Sequence, residues 1–185
     1  PNEPRAIANN LTINNGSTLN MASNTAMTQP LTIIGNLESA GNLILSTAAN
    51  GDLITYGNLN FTNGFNFNAN GKKIYFNKIG TQKITAPSDL TIPYLHQNPA
   101  TGQNTVELNT NILATASNQG TAIHTGNNNN IIDLNGFHLT IGTNALSNIV
   151  EGNGSFKGGT ATTTSQLSLL GNGSIGTLNF LPSYN

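Results

Sequence analysis

The sequence predicts an all-β fold, a parallel β-helix or solenoid with coils of about 20–22 residues. Three observations predict it. A short β-branched strand recurs as Leu11-Thr12-Ile13, Leu31-Thr32-Ile33, Leu53-Ile54-Thr55, Ile74-Tyr75-Phe76 and Leu90-Thr91-Ile92, at near-regular intervals that shorten only before the last. Gly and Asn fill the intervals and supply turns. Glu, Lys, Arg, Gln and Met, which favour helix, are scarce, and Asn and Gly interrupt every window in which a helix could start.

Taken in order, the tripeptides give a register. If Leu11, Leu31 and Leu53 are equivalent positions on stacked coils, they point inward together, as do Ile13 and Ile33, while Thr12 and Thr32 face solvent. Further strands are expected at 43–45, 59–61, 106–108, 131–134, 139–141, 167–170 and 178–180, most of them alternating apolar and polar residues. Gly-Asn-Leu recurs at 35–37, 41–43 and 57–59, and Gly-Asn-Gly at 152–154 and 171–173. Asn suits a coil because it tolerates the left-handed backbone of a sharp corner and can hydrogen-bond from coil to coil. An antiparallel sandwich is the competing architecture, but it favours turns every eight to twelve residues or so.

The period breaks between Ala86 and Thr105, where Pro87, Pro93 and Pro99 cannot donate to a ladder. Residues Pro87 to Gln103 therefore read as one irregular coil with a projecting loop. Asn118 to Asn130 and Gly152 to Ser165 read as the other loops. The whole chain, 1–185, reads as a single β-helix domain cut from a longer protein. Pro1-Asn2-Glu3-Pro4 opens it without a signal sequence, so a leader has been removed or the chain is a segment.

Charged residues make up 7% of the chain, against roughly 25% in ordinary soluble domains. Membrane insertion is not expected, because no apolar run approaches the eighteen or so residues of a spanning helix. Nucleic acid is not expected as a partner either. The net charge is −1 and the cations are scattered beyond the Lys72-Lys73 pair. With no Cys there are no disulfides and no thiolate metal sites.

Residues 10–21 resemble the opening coil of repetitive β-helical segments in large secreted surface proteins of the Bacteroidetes type, and residues 35–64 resemble the coils that follow. Residues 71–85, Gly71-Lys72-Lys73-Ile74-Tyr75-Phe76 onward, resemble their recurrent Gly-x-x-Val-x-Phe-x-Gly-x-Gly-x-Gln-x-Ile signature, with Lys78 standing where that pattern has Gly. The resemblance covers about the first half of the chain. Autotransporter passenger domains, rich in Asn, Gly and Thr, are the next closest likeness. Both families imply a right-handed coil, an extracellular cell-surface location and adhesin or stalk roles. Neither implies a catalytic residue.

Catalysis would need clustered carboxylates, and the seven available are dispersed in sequence. Asp133 and His138 flank a turn at Asn135-Gly136, and that pattern more simply ends a strand and leaves His138 on a wet face. His96 and His124 are too far apart in sequence to suggest a metal pair. No catalytic residue, metal ligand or cofactor is expected. Ligand contacts are expected in two loops, at His96, Gln97, Asn98 and Gln103 and at Asn127, Asn128, Asn129 and Asn130. Aromatics at 61, 65, 67, 75 and 76 read first as core packing of consecutive coils.

These readings lead to a non-enzymatic structural and adhesive segment of a secreted bacterial surface protein. Its expected partners are surface glycans, host or substratum proteins, and neighbouring segments of the same polypeptide. The alternative is a β-helical polysaccharide lyase or glycoside hydrolase acting on extracellular glycans.

Overall fold

The computed structural model describes residues 5–7, 9–23, 25–99, 101–116, 120–142, 150–159, 163–170 and 179–181, with backbone alone at 5–7 and 179–181. Within them the chain is all-β without helix, and its strands pair in parallel into a solenoid of about six turns. No helix is long and apolar enough to cross a membrane among the described residues.

Most strands pair with the third strand along the chain, so three strands make a coil and neighbouring coils hydrogen-bond about 4.8 Å apart. The first face is a seven-stranded sheet of Arg5–Ile7, Leu31–Ile33, Leu53–Thr55, Lys73–Phe76, Tyr94–Gln97, Ile123–His124 and Val150–Glu151. The second has eight strands: Leu11–Ile13, Leu37–Ser39, Leu59–Phe61, Gly80–Thr85, Asn104–Asn109, Ile131–Asp133, Ser155–Lys157 and Asn179–Leu181. The third face is in two pieces. Thr18–Asn20, Asn42–Ile44 and Asn66–Asn68 form one, and Leu90–Thr91, Ile112–Ala114, His138–Gly142 and Gln166–Leu170 form the other.

Alternation turns one side of each strand inward, and the coil stack lines these residues up. On the first face Leu31, Leu53, Ile74, Leu95, Ile123 and Val150 form one buried ladder. On the second, Leu37, Leu59, Ile84 and Leu108 do the same. On the third, Leu90, Ile112 and Leu139 follow suit. Each such side chain contributes about 1.5–3 kcal/mol of burial free energy.

The recurring tripeptide does not occupy one ladder. Leu31, Leu53 and Ile74 stack as expected, each one coil above the last. Leu11 instead lies on the second face against Leu37, and Leu90 on the third against Ile112. Ile13 accordingly pairs with Ser39, and it does not share a ladder with Ile33. All three faces demand the same inward–outward alternation, so an apolar-polar-apolar tripeptide fits any of them. The expected coil period holds at the centre of the first face, through Leu31, Leu53, Ile74 and Leu95. The coils then lengthen, since the next rungs of the ladder are Ile123 and Val150.

The irregular coil expected over Pro87 to Gln103 contains two strands in register with their neighbours, Leu90–Thr91 and Tyr94–Gln97. Buried Pro93 sits between them, outside both ladders, so its missing N–H costs no ladder bond. The regions expected as the other two loops likewise hold Ile123–His124 and Ser155–Lys157. Residues 118–119 and 160–162 of those loops, the Gly-Asn-Gly expected at 171–173 and the first residue of the strand expected at 178–180 lie outside the described residues. The real discontinuity is on the third face, between Asn68 and Leu90.

Asn and Gly divide the corner work. Gly35 and Gly57 stack at the corner between first and second faces, where a Cβ on Gly57 would fall on the Gly35 carbonyl. The Asn that follows each one reaches across coils. Asn10 Oδ1 accepts from Asn36 N, Asn36 Oδ1 from Asn58 N and Asn58 Oδ1 from Lys83 N, each at 2.9 Å. Gly41-Asn42-Leu43 uses the same tripeptide at the opposite corner, where Asn42 donates to Thr18 Oγ1 at 3.0 Å. Asn50, Asn70 and Asn135 adopt φ of 60°, 48° and 47°, as the corner argument expects.

From Gly80 onward the first-to-second corner is filled by amides instead. Gln82, Gln97, Asn104 and Asn130 are fully buried. Gln82 donates to the carbonyls of Thr55 and Gly57, and Asn104 donates to Gln82 Oε1 at 3.0 Å. Gln97 Nε2 donates to Asn104 and to the Ile131 carbonyl. Buried amides are tolerated because nearly every polar atom has a partner.

Candidate functional site

On the outer side of the first face the register sets Ile54, Tyr75, His96, His124 and Glu151 in one row across five coils. Lys73 precedes Tyr75 by two residues and therefore points to the same side. Asn98 and Gly120–Thr121 rise beside the row, and with Lys73, Tyr75, His96, His124 and Glu151 they line a cavity of about 360 Å³.

The floor is aromatic. The Tyr75 and His96 rings meet edge to face at 5.5 Å, and His96 lies 5.4 Å from His124, centroid to centroid. His96 is largely buried, and its Nε2 contacts the Thr121 carbonyl at 2.9 Å. A carbonyl only accepts, so Nε2 carries the proton. Burial holds the His96 imidazole well below its usual range, at about 4. The Thr121 hydrogen bond opposes that shift, while nearby Lys73 and His124 reinforce it. Burial, with a lesser effect from Asp52, raises the Tyr75 phenol, which stays protonated at neutral pH.

Of the eight residues expected to touch a ligand, His96 and Asn98 line the cavity. Gln97 and Asn130 are buried in the interior amide network: strand alternation turns Gln97 inward, and Asn130, just before its strand, bonds to Asn104 N and the Thr125 carbonyl. Asn127 donates to the Gly102 carbonyl and its Oδ1 accepts from Asn129 N, so it stitches the two loops together. Asn128 and Gln103 are exposed and away from the cavity lining.

Sequence reasoning missed Lys73, Tyr75, Thr121, His124 and Glu151. The available signal was the coil period itself, since Tyr75 and His96 are one coil apart, as are Ile74 and Leu95. The sequence separation of His96 and His124 is no barrier to proximity, because one coil closes that distance. Among the described residues, no group of three or more His, Asp or Glu is placed to hold a metal ion.

A second row lies outside the second face, where Lys83, Glu107, Asp133 and Lys157 are successive register partners. Carboxylates dispersed in sequence thus meet on adjacent coils. Each is closed by a lysine: Lys83 Nζ to Glu107 at 2.8 Å and Lys157 Nζ to Asp133 at 2.7 Å. Asp133 Oδ1 also accepts from Asn135 N, which caps the Asn135-Gly136 turn, and His138 emerges exposed beyond it. Of the aromatics read as core, Phe61 and Phe76 are buried, Phe65 and Phe67 pack partly buried against Phe61, and Tyr75 faces the cavity.

Comparison with protein-family models, curated proteins and solved structures finds no match.

Proposed function

We propose that the chain is a non-enzymatic structural and adhesive segment of a secreted bacterial surface protein, a stiff solenoid that presents its outer faces and loops to surface glycans or to proteins of a host or substratum. The observation that carries this reading is the continuity of the stack. Six or so turns pair in register around one aliphatic core, and Asn and Gln side chains join coil to coil. Such a body resists bending along its axis and suits a stalk joined to neighbouring segments of the same polypeptide.

The test applies the purified chain to an array of extracellular glycans and assays the same glycans for new reducing or unsaturated ends. Retention without new ends is the expected result. Turnover that disappears in Asp133→Asn, with the circular dichroism unchanged, overturns it.

One observation favours the enzymatic alternative. Glu107 and Asp133 are lateral neighbours on adjacent coils, so two carboxylates share one outer row, as glycoside hydrolysis requires. Against it, both carboxylates are engaged by lysines and neither lines the first-face cavity.

A further inference from the structure

The first-face cavity contains two charges that the protein leaves open. Lys73 and Glu151 both line it, and neither side chain makes an ion pair or hydrogen bond among the described residues. On the second face the opposite holds, since Lys83 and Lys157 are both closed on carboxylates. From the Lys73 coil to the Glu151 coil is three coil steps, about 14 Å at the usual strand spacing. Between the two charges lie the Tyr75, His96 and His124 rings, with the exposed Asn98 amide alongside.

We propose that this groove binds an acidic oligosaccharide that alternates uronate with N-acetylhexosamine, placing a uronate carboxylate on Lys73 Nζ and the amide or hydroxyl donors of a later unit on the Glu151 carboxylate. The inference rests on the adhesive reading above and names the ligand class of its site.

Four features select this class. Opposite charges at the two ends call for a ligand that presents an anion at one end and donors at the other. Their separation calls for a chain of several units. The ring-lined floor, with amide and hydroxyl groups at its rim, suits the apolar faces and equatorial hydroxyls of sugars. An extended peptide is disfavoured because the groove lies on the face of a sheet whose strands are already paired on both sides, which leaves no edge for strand addition.

The experiment titrates hyaluronan tetrasaccharide and, separately, the neutral N-acetylglucosamine tetramer into the full chain by calorimetry. The wild type is compared with Lys73→Gln, Glu151→Gln and Lys78→Gln, all checked for native circular dichroism. Lys78 is exposed and outside the groove, so Lys78→Gln makes the same change of net charge as Lys73→Gln without touching the site.

The acidic tetramer is expected to bind about tenfold or more tighter than the neutral one, the scale of one charge-assisted hydrogen bond. Lys73→Gln should abolish that preference, Glu151→Gln should weaken both tetramers, and Lys78→Gln should behave as wild type. Equal affinity for the two tetramers, an unchanged preference in Lys73→Gln, or no heat at millimolar ligand overturns the proposal. Mass spectrometry of the titrated solution keeps the two readings apart. Shortened saccharide would overturn the non-enzymatic reading and leave this site standing, whereas an intact tetramer that does not bind would overturn the site and leave the scaffold.

Discussion

Asn36 and Asn58 sit one above the other at the corner between the first two faces, and the Oδ1 of Asn36 accepts the backbone N–H of Asn58 at 2.9 Å. Asn10 does the same for Asn36, so the corner is a ladder of side-chain oxygens capping backbone donors that the turn has removed from the sheets. Asn36→Ala should cost about 1–3 kcal/mol, because it leaves the partly buried Asn58 N–H without an acceptor. Asn128→Ala, at an exposed position, should stay within about 0.5 kcal/mol. Paired urea melts measure both.

The alternation on the first face predicts a sharp asymmetry between adjacent residues. Ile33 is fully buried and Thr32 is partly exposed on the outer side. Ile33→Asp should unfold the domain or cost several kcal/mol, by burying an unpaired carboxylate. Thr32→Asp should change stability by about 0.5 kcal/mol or less. Equal losses in thermal melts would show that the inward register is wrong.

Gly57 is required by close approach, since a Cβ there would strike the backbone of Gly35 one coil below. Gly57→Ala should cost about 1–3 kcal/mol as backbone shifts to relieve the overlap. Gly142→Ala, where a Cβ meets nothing nearer than 4.0 Å among the described residues, should be neutral or slightly stabilising. Thermal melts of the two alanine variants side by side check the difference.

His96 gives the fold an acid-side sensitivity. Its pKa falls from 6.5 in the unfolded chain to about 4 in the folded one. Between those values the unfolded state binds the additional proton, so stability rises with pH across the window. The contribution is full above about pH 6.5 and declines as pH falls toward 4. From pH 7 to pH 5 the loss should be about 2 kcal/mol. His96→Gln should flatten this part of the pH–stability curve, measured by denaturant melts at half-unit intervals. An unchanged slope would show that another group carries it.

The fold class was legible because strand alternation and coil period are local properties written into short tripeptides. The Gly-Asn-Leu corners were legible too, since 35–37 and 57–59 are related by a single coil. The candidate site was mostly hidden. His96 and Asn98 could be named from their loop, but Lys73, Tyr75, His124 and Glu151 carry no local mark that separates them from other outward residues. Gln97 and Asn130 look in sequence like exposed loop amides and are interior ones.

The sequence by itself determined that the chain coils, that its strands are short and parallel, and that Asn and Gly make the corners. The physical reason is that alternation, left-handed turns and missing helix propensity act within a few residues. Only the tertiary structure decided which tripeptide lies on which face, which loop amides turn inward, and which charges meet. Coils of unequal length bring Lys83 to Glu107, Asp133 to Lys157 and His96 to His124. Those meetings depend on the summed length of every loop between the partners, and no local pattern records that sum.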